Sequence, residues 1–203
     1  MSVMFSPLSR LDSAKVALVV TPDQDLGSWR SWCQSAVGDG VGAIVVPGTA
    51  ADEALSVARS VFGDGVVGVA EPVGDGVRAD LIHLQAPSNA SRWPNRLVGC
   101  QVCDIDQARA GLLAGCAYLV VDVQNRGLIC ELARLAQERV GLIWFVSGCA
   151  GLDDLRVATE QGARRVWVES QDPSLDSWSA HLRQVWSNDP AMSPLARMRR
   201  NFP

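Results

Sequence analysis

The chain has 203 residues, 48% of them hydrophobic, with 18 Gly, 10 Pro and a formal net charge of −4. That length gives one domain, 1–203, with a sizeable core, and a charged fraction of only 20% excludes a disordered chain. Mild acidity counts against a nucleic-acid or anionic-lipid surface, and no apolar run approaches the roughly 20 residues needed to cross a membrane.

In chain order, short apolar or β-branched runs recur at Val16–Val20, Ala43–Val46, Val66–Val69, Leu81–Leu84, Val98–Val102, Tyr118–Val121, Leu142–Val146 and Arg165–Val168. Between most of them apolar residues fall at i, i+3 and i+4, the mark of amphipathic helices, most clearly at Asp52–Val61, Asp106–Ala114, Leu128–Gln137 and Leu152–Glu160. Runs that are apolar throughout suit parallel strands covered on both faces. Eight strand–helix units, closed by a helix over Leu175–Trp186, predict an α/β fold, a compact (β/α)8 TIM barrel. The third helix is expected to be degenerate, because only EPVGDGVRAD separates the third and fourth runs. A doubly wound open sheet is the rival, but TPDQDLGSW after the first run carries no Gly-rich phosphate turn.

Of the six cysteines, only Cys100 and Cys103 form a CxxC, and strand alternation would point that pair to opposite faces. The others lie mostly in apolar runs, where a thiol behaves as a small hydrophobe. The N-terminal MSVMFSPLSRLDSAK lacks the pattern of a signal peptide, so reduced thiols and a cytoplasmic location are expected.

In a barrel the chemistry sits at the C-terminal ends of the strands. Residues just past each run there include Thr21, Asp23, Pro47, Thr49, Glu71, Gln85, Gln101, Cys103, Asp122, Gln124, Asn125, Arg126, Ser147, Gly148, Cys149, Glu169 and Ser170. The small residues of FVSGCAGLDDL either cradle a phosphate on backbone N–H groups or simply permit a tight turn. Glu71, Asp122 and Glu169 suit a general base or Mg²⁺ ligand, or else structural pairing with Arg78, Arg126 or Arg165. Cys103 is an acid/base or nucleophile candidate only if its pKa is lowered, and neighbouring Asp104 works against that. His83, inside LIHLQ, reads as a core residue, and Trp144 and Trp167 as packing.

The stretches ADLIHLQAPS, LVGCQVCDIDQARAGLLAGCAYLVV and VSGCAGLDDLRVATEQGARRVWVES, in this order and spacing, resemble the thiamine-phosphate synthase/TenI family. The resemblance implies a TIM barrel, often a homodimer. It also implies either a Mg²⁺-dependent transferase that joins a pyrimidine pyrophosphate to a thiazole phosphate, or a thiazole tautomerase. Its pyrophosphate-gripping Q-L-R-E-K falls on Val45–Thr49, so both cations are replaced, by Pro47 and Thr49. Glu71 stands for the first metal Asp and is the only metal-ligand candidate; Ser88 stands for the second. The Thr-rich loop is cut to DVQNRG, with Arg126 its only cation, and Cys103 stands where a tautomerase places its His.

What survives of the family pattern is a phosphate site at Gly148, Cys149 and Ser170, with Arg126 in support, and Glu71, Cys103 and Glu169 as acid/base candidates. These departures predict a small phosphorylated heterocycle as ligand, weak or no synthase activity, and Mg²⁺ as cofactor only if that activity is retained. The alternatives are a non-catalytic binding or regulatory barrel and another phosphate-binding lyase or isomerase. A Schiff-base aldolase is disfavoured, because the one lysine, Lys15, precedes the first strand.

Overall fold

The computed structural model describes residues 6–20, 25–50, 52–72, 78–87, 92–93, 95–139, 141–169 and 175–193, with only the backbone of Glu169. Its elements are α1 (Pro7–Ser13), β1 (Val16–Val19), α2 (Leu26–Gly38), β2 (Val41–Pro47), α3 (Asp52–Phe62), β3 (Val66–Ala70), β4 (Leu81–Leu84) and β5 (Leu97–Val102). There follow α4 (Ile105–Leu113), β6 (Tyr118–Asp122), α5 (Arg126–Glu138), β7 (Ile143–Ser147), α6 (Leu152–Glu160), β8 (Val166–Glu169), α7 (Leu175–Asn188) and a 3₁₀ turn, Pro190–Met192. The eight strands are parallel, pair in chain order and close β1 onto β8, which is the expected TIM barrel.

Between β3 and β4 no helix forms among the described residues, as the clipped third unit predicts. The fourth unit, between β4 and β5, also lacks an α-helix among the described residues, which the sequence pattern did not reveal. Conversely, α1 precedes the barrel, with Ser6 accepting from Ser9 N–H and Pro7 at the first helical position.

Register sorts each strand into two faces. One set, with Ile44, Val67, Ile82, Cys100, Leu119 and Trp144, packs outward against the helices. The other, with Ala17, Ala43, Val45, Leu81, Tyr118, Phe145 and Trp167, fills the lumen. Small residues stand beside large ones there. A Cβ on Gly99 would lie 2.3 Å from the Tyr118 ring, and one on Gly68 2.6 Å from Leu81. Glycine at those two positions is therefore what lets Tyr118 and Leu81 occupy the lumen.

The N-terminal floor is closed by α1. Leu11 and Ala14 join the lumen cluster, and Asp12 meets Arg165 at 2.8 Å with side-chain exposures of only 6% and 2%. Above the floor's rim, Asp80 pairs with Arg59 (3.1 Å) and Arg10 (3.6 Å) and accepts from Val67 N–H. Trp29, Trp178 and Trp186 are buried within the chain at 2%, 1% and 6% exposure. Trp32 is partly buried and stacks on Trp29 at 5.2 Å.

Candidate functional site

The ends of β5, β6 and β7 adjoin at the C-terminal mouth, because Gln101 pairs with Val120 and Asp122 with Ser147. Ser147 is buried and donates its hydroxyl to Val121 O (3.3 Å), while Gln101 Nε2 donates to Ser147 Oγ (3.4 Å). Asp122 ends β6 exposed, its Oδ1 accepting from Gln124 N–H at 2.7 Å, an Asx turn that sets the start of α5. Asn125 then caps α5 through Leu128 N–H (3.2 Å) and donates Nδ2 to Cys103 O (2.6 Å), joining the fifth and sixth loops. Arg126, the first residue of α5, is exposed and makes no ion pair among the described residues.

Gly148 has φ +73°, and a Cβ there would lie 2.9 Å from Asp122 Oδ2. Glycine alone allows both that backbone and that close approach of a carboxylate. Beyond it, Ala150 N–H donates to Asp154 Oδ2 at 2.9 Å. The helix α6 begins at Gly151 without a side-chain cap, whereas Ser6, Asp25, Asp104 and Asn125 cap theirs. Its first N–H groups are thus left for solvent or a ligand. Burial, with Asp154 and then Asp122 nearby, pushes the Cys149 thiol up to about 12, so Cys149 is a neutral wall of this loop.

Across the mouth, Glu71 adopts a left-handed backbone (φ +46°), its N–H donates to His83 O (2.9 Å), and its carboxylate accepts the Gln85 N–H. Gly48 abuts it closely, for a Cβ there would lie 2.1 Å from Glu71 O. Pro47 ends β2, and Thr49 is exposed beside it. Cys103 is exposed, its Sγ 3.8 Å from Asp104 Oδ2 and its N–H bound to Gln107 Oε1. Cys100 is buried against α4, so the two cysteines of the CxxC do face different ways. Glu169 ends β8 paired with Val19; Thr21, Asp23, Ser88 and Ser170 lie outside the described residues.

Below the mouth, His83 faces the lumen against Trp167 (4.5 Å between ring centroids) and Tyr118. Burial pulls its pKa down to about 4, so it is neutral near pH 7. The Tyr118 hydroxyl donates to Ile82 O (3.2 Å), which makes His83 Nδ1, 3.2 Å away, the donor to that oxygen. His83 is therefore a packed lumen residue. Lys15 places Nζ 4.3 Å from the centre of the Trp186 ring, at the floor, so it offers no amine to the mouth.

Among the described residues no group of three or more His, Cys, Asp or Glu stands at metal-ligating spacing, and the Glu71 carboxylate accepts a backbone N–H. Asp154 is the mouth residue that strand-end reading passes over. Its signal is the acidic third position of a helix, which reaches back to the chain ahead of the first turn.

No family model and no curated relative matches the chain in sequence. Solved structures do share its fold. A thiamine phosphate pyrophosphorylase from Pyrococcus furiosus is 18% identical, with TM-score 0.63, over 87% of this chain and 96% of its own. A 2-keto-3-deoxy-6-phospho-gluconate aldolase from Zymomonas mobilis is 14% identical, with TM-score 0.62, over 91% and 98%. A 7,8-dihydropteroate synthase from Vibrio fischeri is 16% identical, with TM-score 0.59, over 89% and 95%. Likeness spread so evenly over barrels of different activity establishes the TIM-barrel fold and nothing finer.

Proposed function

We propose that the chain is a divergent thiamine-phosphate synthase/TenI-like barrel that binds a small phosphorylated heterocycle at its C-terminal mouth, with weak or no synthase activity. The observation that carries this reading is the loop after β7. Left-handed Gly148 and the uncapped start of α6 leave backbone donors beside Asp122, at the end of the barrel where such folds bind ligands.

Two carboxylates next to that loop, Asp122 and Asp154, shape the choice of ligand. They oppose a bare multiply charged anion and favour a molecule whose cationic ring lies beside its phosphate, as in a thiazolium phosphate. In this arrangement Gly148, Cys149, Ser170 and the α6 start hold the phosphate, Arg126 offers a cation from α5, and Asp122 faces the ring. Cys103, Glu71 and Glu169 stay the proposed acid/base groups, and Gln101 and Ser147 orient the ligand.

Binding without transfer is the second reading, favoured because Pro47 and Thr49 stand where pyrophosphate-gripping cations are expected and no Mg²⁺ cluster forms among the described residues. A lyase or isomerase of the phosphate-binding barrel type is the third. Its Schiff-base form lacks a mouth amine, because Lys15 lies at the floor.

Thermal-shift titration with thiazole phosphate, thiamine phosphate and pyridoxal phosphate tests the shared premise. A rise in Tm with one of them, lost in Gly148→Ala, is expected; no rise with any would remove the phosphate reading. In an assay with both synthase substrates and Mg²⁺, turnover of roughly 1 per second or more would overturn the claim of weak activity.

A further inference from the structure

All six cysteines are free thiols, yet two of them are neighbours. Cys100, fully buried, points outward from β5; Cys116, 6% exposed, stands just ahead of β6; their sulfurs are 3.6 Å apart. Backbone pairing holds both anchors, since Cys100 pairs with Leu119 and Ala117 N–H donates to Val98 O. Helix α4 roofs the pair: a Cβ on Gly111 would come within 3.1 Å of Cys100 Sγ. A disulfide needs the sulfurs at about 2.05 Å, a closure of roughly 1.5 Å from their present separation.

We propose that Cys100 and Cys116 form a reversible intrachain disulfide when the protein meets a peroxide. The Cys116 sulfur attacks one peroxide oxygen, the O–O bond breaks, and water leaves with the thiol proton, giving a sulfenic acid. The Cys100 sulfur then attacks Cys116 Sγ, the S–O bond breaks, and a second water leaves. Two thiols have lost two electrons and two protons to one peroxide, and a dithiol reverses the change. The order follows from the pair itself. Cys100 is fully buried whereas Cys116 keeps 6% exposure and donates its S–H to Cys100 Sγ, so the peroxide meets Cys116 first.

The link would tie β5 to the turn ahead of β6, and Gln101, the residue after Cys100, carries the bond to Ser147 at the mouth. Exposed Cys103 and Cys130 are the competing thiols.

The test treats the whole protein with hydrogen peroxide, blocks remaining thiols with N-ethylmaleimide after unfolding, and maps tryptic peptides by mass spectrometry. Cleavage after Arg96, Arg109 and Arg126 puts Cys100 and Cys103 on one peptide and Cys116 on the next. The expected main product joins those two peptides, disappears with dithiothreitol, persists in Cys103→Ser and is lost in Cys116→Ser. Loss of the linked peptide in Cys103→Ser would overturn the proposal, as would both peptides fully alkylated while Cys130 is oxidised. The wild-type and Cys103→Ser maps decide the matter even if Cys116→Ser fails to fold, because Cys103 lies on the surface.

Discussion

The two ends of the barrel handle charge in opposite ways. At the floor, Arg165 and Asp12 are buried and meet at 2.8 Å, and Asp80 gathers Arg10 and Arg59. At the mouth, Asp122 and Arg126 are exposed, and the polar groups bind backbone turns, through Gln124, Leu128 and Ala150, more than one another. Charges at the floor are thus satisfied by structure, whereas those at the mouth shape loops and stay open to a ligand. The lesson is a division of labour: changes below should cost folding, and changes above should cost binding.

The sharpest test removes one partner of the floor pair. Asp12→Ala removes the carboxylate that faces the buried Arg165 guanidinium and should lower unfolding free energy by about 3–5 kcal/mol in urea titration. Next comes pH. With His83 held near 4 by burial and an unfolded value of 6.5, the unfolded chain binds the extra proton. The stability from this group is therefore complete above about pH 6.5 and falls by up to about 3 kcal/mol as pH drops to about 4. His83→Gln should flatten the urea-midpoint curve over that window relative to wild type; identical curves would place the ring in water.

Overpacking the lumen is milder. Gly99→Ala drives a methyl against Tyr118 and should cost about 1–3 kcal/mol by the same titration, since the ring can shift only partly. The smallest effect on folding belongs to the mouth: Asp122→Asn should change stability by no more than about 0.5 kcal/mol while weakening the binding of a phosphate ester that carries a cationic ring. Were Asp122→Asn to unfold the protein as readily as Asp12→Ala, the contrast between the ends would be gone.

The barrel was legible because buried parallel strands must be apolar on both faces, and eight such runs stand out. Leu81–Leu84 and Leu152–Glu160 fall where the pattern put them, and most other bounds differ by a residue or two. That no α-helix joins β4 to β5 among the described residues was not legible, since the stretch from Gln85 to Arg96 breaks helical periodicity without declaring what replaces it. Nor was α1, whose seven residues bury only Leu11 and Asp12 and so show no periodic face. At the mouth, strand-end counting found Asp122, Ser147 and Gly148. It could not reveal the contacts of Asp122 with Gly148 or of Glu71 with Gln85, because each joins residues far apart in the chain.

The contact between Gly48 and the Glu71 carbonyl bears on how this mouth could change. Any side chain at 48 would run into backbone of the next loop, which itself sits in a left-handed turn on a non-glycine residue. Grafting the Q-L-R-E-K of thiamine-phosphate synthases onto Val45–Thr49 would put a glutamate at 48, so the two cations it adds would come with a collision. The second and third loops must therefore vary together. Single substitutions do not install such a pyrophosphate grip in this chain, and a design that seeks one has to rebuild both loops at once.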